Sequence, residues 1–188
     1  MKRLSLACLA LATAPTISHA DGFRSALESK SVIEGAQEVL GDGTLGNGSQ
    51  GLGNGIIRFN RNLTRADIKV TFSALEGEFT RLHLHCNVAG LNGPIAVGLV
   101  DLVAIAQDNS EVSTLDSNTV VARIRNAQLP QDGGPCNISN LRTLANEINN
   151  GGIYFNLHTT AFPPGELRGQ IEPLEPVRRR FKDDDDDD

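Results

Sequence analysis

A chain of 188 residues with 23 acidic and 17 basic side chains, net −6 at neutral pH, has no basic field with which to hold nucleic acid. One tyrosine, seven phenylalanines and no tryptophan offer few stacking platforms for bases. The length fits one domain able to bury a sizeable core.

The N-terminus reads as a leader. Met1-Lys2-Arg3 is basic, Leu4 to Ala14 is an almost unbroken apolar run, and Ser18-His19-Ala20 sets small residues where a signal peptidase cuts. Cleavage after Ala20 is expected, and the apolar run is too short to span a bilayer. Loss of Lys2 and Arg3 leaves 15 basic and 23 acidic residues, a net of −8, of which six acids form the run Asp183 to Asp188. Cys8 leaves with the leader, so Cys86 and Cys136 remain as an even pair. In an exported chain such a pair predicts a disulfide. The alternative, Cys86 as a thiolate metal ligand beside His85, leaves Cys136 without a role.

Residues 21–40 carry apolar side chains with no clean period. Residues 41–55 are glycine-rich, with the echo Leu45-Gly46-Asn47-Gly48 and Leu52-Gly53-Asn54-Gly55, and read as a loop. From Ile56 the pattern becomes that of strands. Ile68, Val70, Phe72 and Ala74 alternate with polar residues. Leu82, Leu84, Cys86 and Val88 share one face of the next strand, and Arg81, His83, His85 and Asn87 the other. Residues 95–103 are nearly all apolar, as in a strand covered on both faces. Residues 120–125 alternate again. Leu141, Leu144, Ala145 and Ile148 recur at helical spacing behind Ser139, the expected cap, and ahead of Gly151-Gly152. Ile153, Phe155, Leu157 and Thr159 then oppose Tyr154, Asn156, His158 and Thr160 on a further strand, and Leu167, Gly169 and Ile171 alternate on the last. Beyond Pro173 the composition turns to charge: Arg178-Arg179-Arg180, Lys182 and the aspartates. This predicts a solvated, disordered tail.

Two separated blocks resemble a known family. His83-Leu84-His85-Cys86 with Asn92-Gly93-Pro94 is similar to the first half of the CHRD (chordin-type) domain signature. Gly151-Gly152-Ile153-Tyr154-Phe155-Asn156-Leu157-His158-Thr159 with Pro164-Gly165-Glu166-Leu167-Arg168-Gly169-Gln170 is similar to the second. The resemblance covers residues 51–172. It implies an immunoglobulin-like antiparallel β-sandwich or barrel with one short helix, in the manner of exported bacterial members. The chain lacks the cysteine-rich modules with which chordin holds growth factors, so that activity does not carry over. The expected organisation is a leader (1–20), an N-terminal extension and glycine-rich loop (21–50), a CHRD-like β domain (51–173) and the charged tail (174–188).

The polar faces suggest a site. His83 and His85 stand two apart on one strand face, and His158 lies on the polar face of a later strand. If those strands are neighbours, three neutral imidazoles converge in a set suited to copper or zinc. The competing interpretation is a hydrogen-bonded polar layer in which Asn156 and the histidines tie the Glu166 carboxylate to Arg168 or a turn amide. Glu166 and Arg168 read as a surface or turn-fixing ion pair, and no paired carboxylates for acid–base catalysis stand out. The expected function is that of a secreted or periplasmic, non-catalytic binding protein with a transition metal as ligand. The alternatives are a metal-free extracellular module with a protein partner and a copper-dependent redox enzyme. No nucleic acid and no membrane span enter any of these.

Overall fold

The computed structural model describes residues 25–102 and 112–177. The leader, the end of the 95–103 run and the aspartate run lie outside the described residues. The strands are β1 (Ser25–Glu34), β2 (Leu52–Asn60), β3 (Arg65–Ser73), β4 (Phe79–Cys86), β5 (Ile95–Asp101), β6 (Val112–Asp116), β7 (Thr119–Arg125), β8 (Ile153–Thr159), β9 (Leu167–Gln170) and β10 (Glu175–Pro176). Among the described residues one α-helix, α1 (Leu141–Asn149), precedes β8.

All ten strands pair antiparallel in one sheet, ordered β5-β4-β8-β9-β1-β2-β3-β7-β6, with β10 laid beside β1. The sheet curls into a nearly closed barrel, so of the sandwich and the barrel it is the barrel that forms. The inward rows follow the period of two: Ile68 and Val70 on β3, Leu82 and Leu84 on β4, and Phe155 and Leu157 on β8 are all buried. Helix α1 adds Leu141, Leu144, Ala145 and Ile148 to the same core. Its cap is Asn140 rather than Ser139. The Asn140 side chain accepts from the amides of Arg142 and Thr143, and the Thr143 hydroxyl closes the box.

Two segments depart from the sequence expectation. Ser25–Glu34, where no period stood out, forms the ten-residue strand β1 between β9 and β2. Its buried row mixes Ser29 and Ser31 with Ile33, which blurs the hydrophobic alternation. The second half of the glycine echo, Leu52-Gly53-Asn54-Gly55, is strand rather than loop. Gly55 is glycine for space: a Cβ there would stand 2.5 Å from the Phe155 ring. The barrel gives up a side chain on β2 to make room for an aromatic on β8.

Cys86 at the end of β4 is bonded to Cys136, 50 residues away, with Cα atoms 5.9 Å apart. The crosslink ties β4 to the loop that leads into α1. Closing a loop of that length restricts the unfolded chain by about 4 kcal/mol in the chain-entropy account. Thiol titration of unreduced, denatured protein beginning at Asp21 should find no free thiol. Two reactive thiols per chain would contradict the bond.

Candidate metal centre

The histidines are brought together by register. Strand β4 pairs directly with β8, and His83 stands opposite Asn156, His85 opposite Tyr154 and Arg81 opposite His158. Because Leu82 and Leu84 point into the barrel, His83 and His85 point out of it, onto the same outer face as Tyr154, Asn156 and His158. That face is not open to solvent. His83, Asn156, His158 and Arg168 are all buried. Loops lie over them: Asn47 donates to the carbonyls of Gly165 and Glu166, Asn92 donates to the carbonyl of Val39, and Glu38 packs on Asn156. β8 is consequently buried along its whole length on both faces, where the sequence predicted one polar side.

His83, His85 and His158 each offer a ligand atom, and these atoms lie within 4.8 Å of one another. The ring centroids of His83 and His158 are 5.0 Å apart, and those of His83 and His85 5.6 Å. His85 Nδ1 lies 2.8 Å from the carbonyl oxygen of Gly93, and His158 Nδ1 lies 3.0 Å from that of Pro163. A carbonyl only accepts, so in the neutral ring the proton sits on Nδ1 and the lone pair on Nε2. Both Nε2 atoms are buried and without a protein hydrogen-bond partner, and neither nitrogen of His83 has one.

Burial holds all three rings neutral. His83 is pushed down to about 3 by desolvation, reinforced by the neighbouring His158 and His85. His158 is pushed down to about 4, again chiefly by burial. His85 is lowered by burial, against the pull of the Gly93 carbonyl. The result is three lone-pair donors with backbone carbonyls fixing two of the rings from behind, as metal-ligating imidazoles are usually held. A metal at about 2.0–2.1 Å from each nitrogen needs donors roughly 3.4 Å apart in a tetrahedral set. The present spacing is reached from there by small ring movements.

The supporting shell is built from the two signature blocks. Gly93 must lack a side chain, since a Cβ there would meet the Cys86 carbonyl oxygen at 1.8 Å. That closeness brings its own carbonyl to His85. The Tyr154 hydroxyl accepts from the Gly93 amide, and its ring stacks on His85 at 5.2 Å. Arg168 lies over Tyr154, 3.6 Å from the ring centroid, and donates to the carbonyls of Val88 and Leu91 and toward Asn92 Oδ1. The guanidinium therefore holds the 88–93 loop in place behind His85.

The expected Glu166–Arg168 ion pair does not form. Glu166 accepts from the Ser49 hydroxyl (2.9 Å), the Glu76 amide (2.8 Å) and the Thr159 hydroxyl (2.5 Å). It fastens two loops to the end of β8, with the Glu76 amide as its one main-chain donor in these contacts. Arg168 is instead absorbed by carbonyls and by Tyr154. Asn156 bonds to Glu38, not to Glu166. Glu38 itself drew no notice in the sequence. It is buried, and desolvation outweighs the nearby Arg168 charge and lifts its carboxyl to about 7. It comes from a segment with no motif, and only the fold places it beside the signature blocks.

A curled antiparallel barrel with a disulfide-anchored, loop-covered imidazole cluster on its outer face defines the class of protein. Residues 29–171 match the CHRD domain family model, and the chain belongs to that family. Comparison with curated proteins and with solved structures returned no match. Among the described residues no helix is long and apolar enough to cross a membrane.

Proposed function

We propose that the protein is an exported, non-catalytic CHRD-domain binding protein that holds one copper or zinc ion through His83, His85 and His158. The observation that carries this reading is His83. A buried imidazole with neither nitrogen bonded leaves two polar atoms desolvated, a cost of about 1–3 kcal/mol for each unsatisfied group. A polar layer kept for structure alone would satisfy that ring. A metal ion would take the lone pair of one His83 nitrogen together with the two Nε2 lone pairs, so it removes one of the two unmet groups on that ring. The leader-like N-terminus and the disulfide favour an oxidising compartment, where copper is readily met.

Titration of untagged protein with copper or zinc should give one ion per chain. His85→Ala should weaken binding by more than about 100-fold, beyond what loss of a supporting residue alone costs, while thermal unfolding stays cooperative. Equal stoichiometry and affinity in wild type and variant would overturn the site.

A further inference from the structure

A cleft of about 290 Å³ opens beside His85, between the 38–41 segment and Asn92-Gly93. Asn156 lines it and is also the residue opposite His83 across the β4–β8 pair, so cleft and imidazoles share one face. Two buried polar side chains border it, Glu38 at 4% exposure and Asn156 at 5%. Asn156 Nδ2 donates to Glu38 Oε1 at 2.7 Å, which fixes the amide and leaves Oδ1 as a buried acceptor without a protein donor. Gly165 keeps this corner open. A Cβ there would stand 2.7 Å from Glu38 Oε1 and 2.8 Å from Asn156 Oδ1.

Three imidazoles do not complete a coordination sphere; a site with three protein ligands leaves a position for an outside molecule. The cleft meets the cluster at His85, and the buried polar atoms that border it are acceptors, Asn156 Oδ1 and the ionised Glu38 carboxylate, which call for a hydrogen. We infer that the cleft admits a small protic molecule to the open position of the metal, and that Asn156 and Glu38 hold its N–H or O–H. The ligand class is therefore a small molecule with a lone pair on one side and a donor hydrogen on the other. At about 30 Å³ per water, the cleft has room for roughly ten waters, which accommodates a five-membered ring. This inference rests on the three-histidine metal reading.

Imidazole and 1-methylimidazole separate the two halves of the claim, since both donate a lone pair but only imidazole keeps an N–H. The full chain loaded with Cu(II) would be titrated with each at about pH 8, where imidazole is largely neutral, following the copper EPR and visible absorption and assaying retained copper after desalting. Imidazole should shift the spectrum and bind roughly tenfold more tightly than 1-methylimidazole, the worth of one charge-assisted hydrogen bond. Glu38→Gln should narrow that preference. Leu40→Trp, at the exposed rim of the cleft, should weaken both ligands while copper binding stays intact. Protein that takes up no copper overturns the metal reading and this inference with it. Copper bound at one per chain with a spectrum that imidazole leaves unmoved, or with equal affinity for the two probes, overturns this inference alone.

Discussion

Glu166→Ala is expected to lower the stability of the fold by about 3–5 kcal/mol. The side chain is fully buried, and its two oxygens receive three donors from three separate places: Ser49, the Glu76 amide and Thr159. Truncation leaves those donors without their acceptor together, at about 1–3 kcal/mol for each buried group left unsatisfied. Glu166→Gln keeps one carbonyl acceptor and should lose less than the alanine variant. Urea unfolding reads the difference as a fall in midpoint with the slope unchanged. A loss below about 1 kcal/mol for the alanine variant would mean that the loops are held by other contacts.

The second large effect is on pH dependence, and it pits fold against site. In the unfolded chain the histidines take up protons near 6.5, but in the metal-free fold His83 resists down to about 3 and His158 to about 4. Their neutral state contributes stability that is present above 6.5 and lost as the pH falls through those folded values. Each such ring tilts the curve by about 1.4 kcal/mol per pH unit. Glu38 acts in the opposite sense. Its folded value of about 7 lies above the ordinary 4.5, so its contribution is present below 4.5 and lost as the pH rises through 7. Between 4.5 and 6.5 at least two rings oppose one carboxyl, so stability of the metal-free protein should peak near 6.5 and fall toward acid. His83→Leu removes one ring and its unsatisfied nitrogens. It should raise stability at about pH 5 by roughly 1–3 kcal/mol while abolishing metal uptake. Denaturant midpoints of both proteins across the range test this. A variant less stable than wild type at pH 5 would mean that His83 is satisfied within the fold.

The legible parts of the sequence were those where a period coincides with burial. β3, β4, β7 and α1 alternate or recur as their environments demand, so strand faces and the two-apart histidines are placed by the sequence pattern alone. What could not be read is what lies on top of the sheet. The alternation of β8 marks Tyr154, Asn156 and His158 as its polar face but does not say what covers it, and all three are buried under loops. Loop cover leaves no periodic signature. Glu166 and Arg168 looked paired because their charges are opposite and their spacing even, but each found partners far away in sequence. β1 escaped notice because its inward serines are bonded to main-chain carbonyls, Ser29 to that of Glu172 and Ser31 to that of Val32, and such pairing lets polar residues sit where apolar ones are expected.

Strand β4 holds leucines and histidines in strict alternation, and this gives the protein an internal check on its own assembly. Sliding β4 by a single residue against β8 would turn His83 and His85 into the barrel and Leu82 and Leu84 out under the loops. Such a mispaired chain would place two imidazoles in an apolar interior, lose the convergence with His158 and misalign Cys86 for Cys136. A molecule that folds in the wrong frame is thereby penalised in its core, its crosslink and its cluster at once. Disulfide closure and, on the proposed function, metal capture would then be independent witnesses that the strand was threaded correctly.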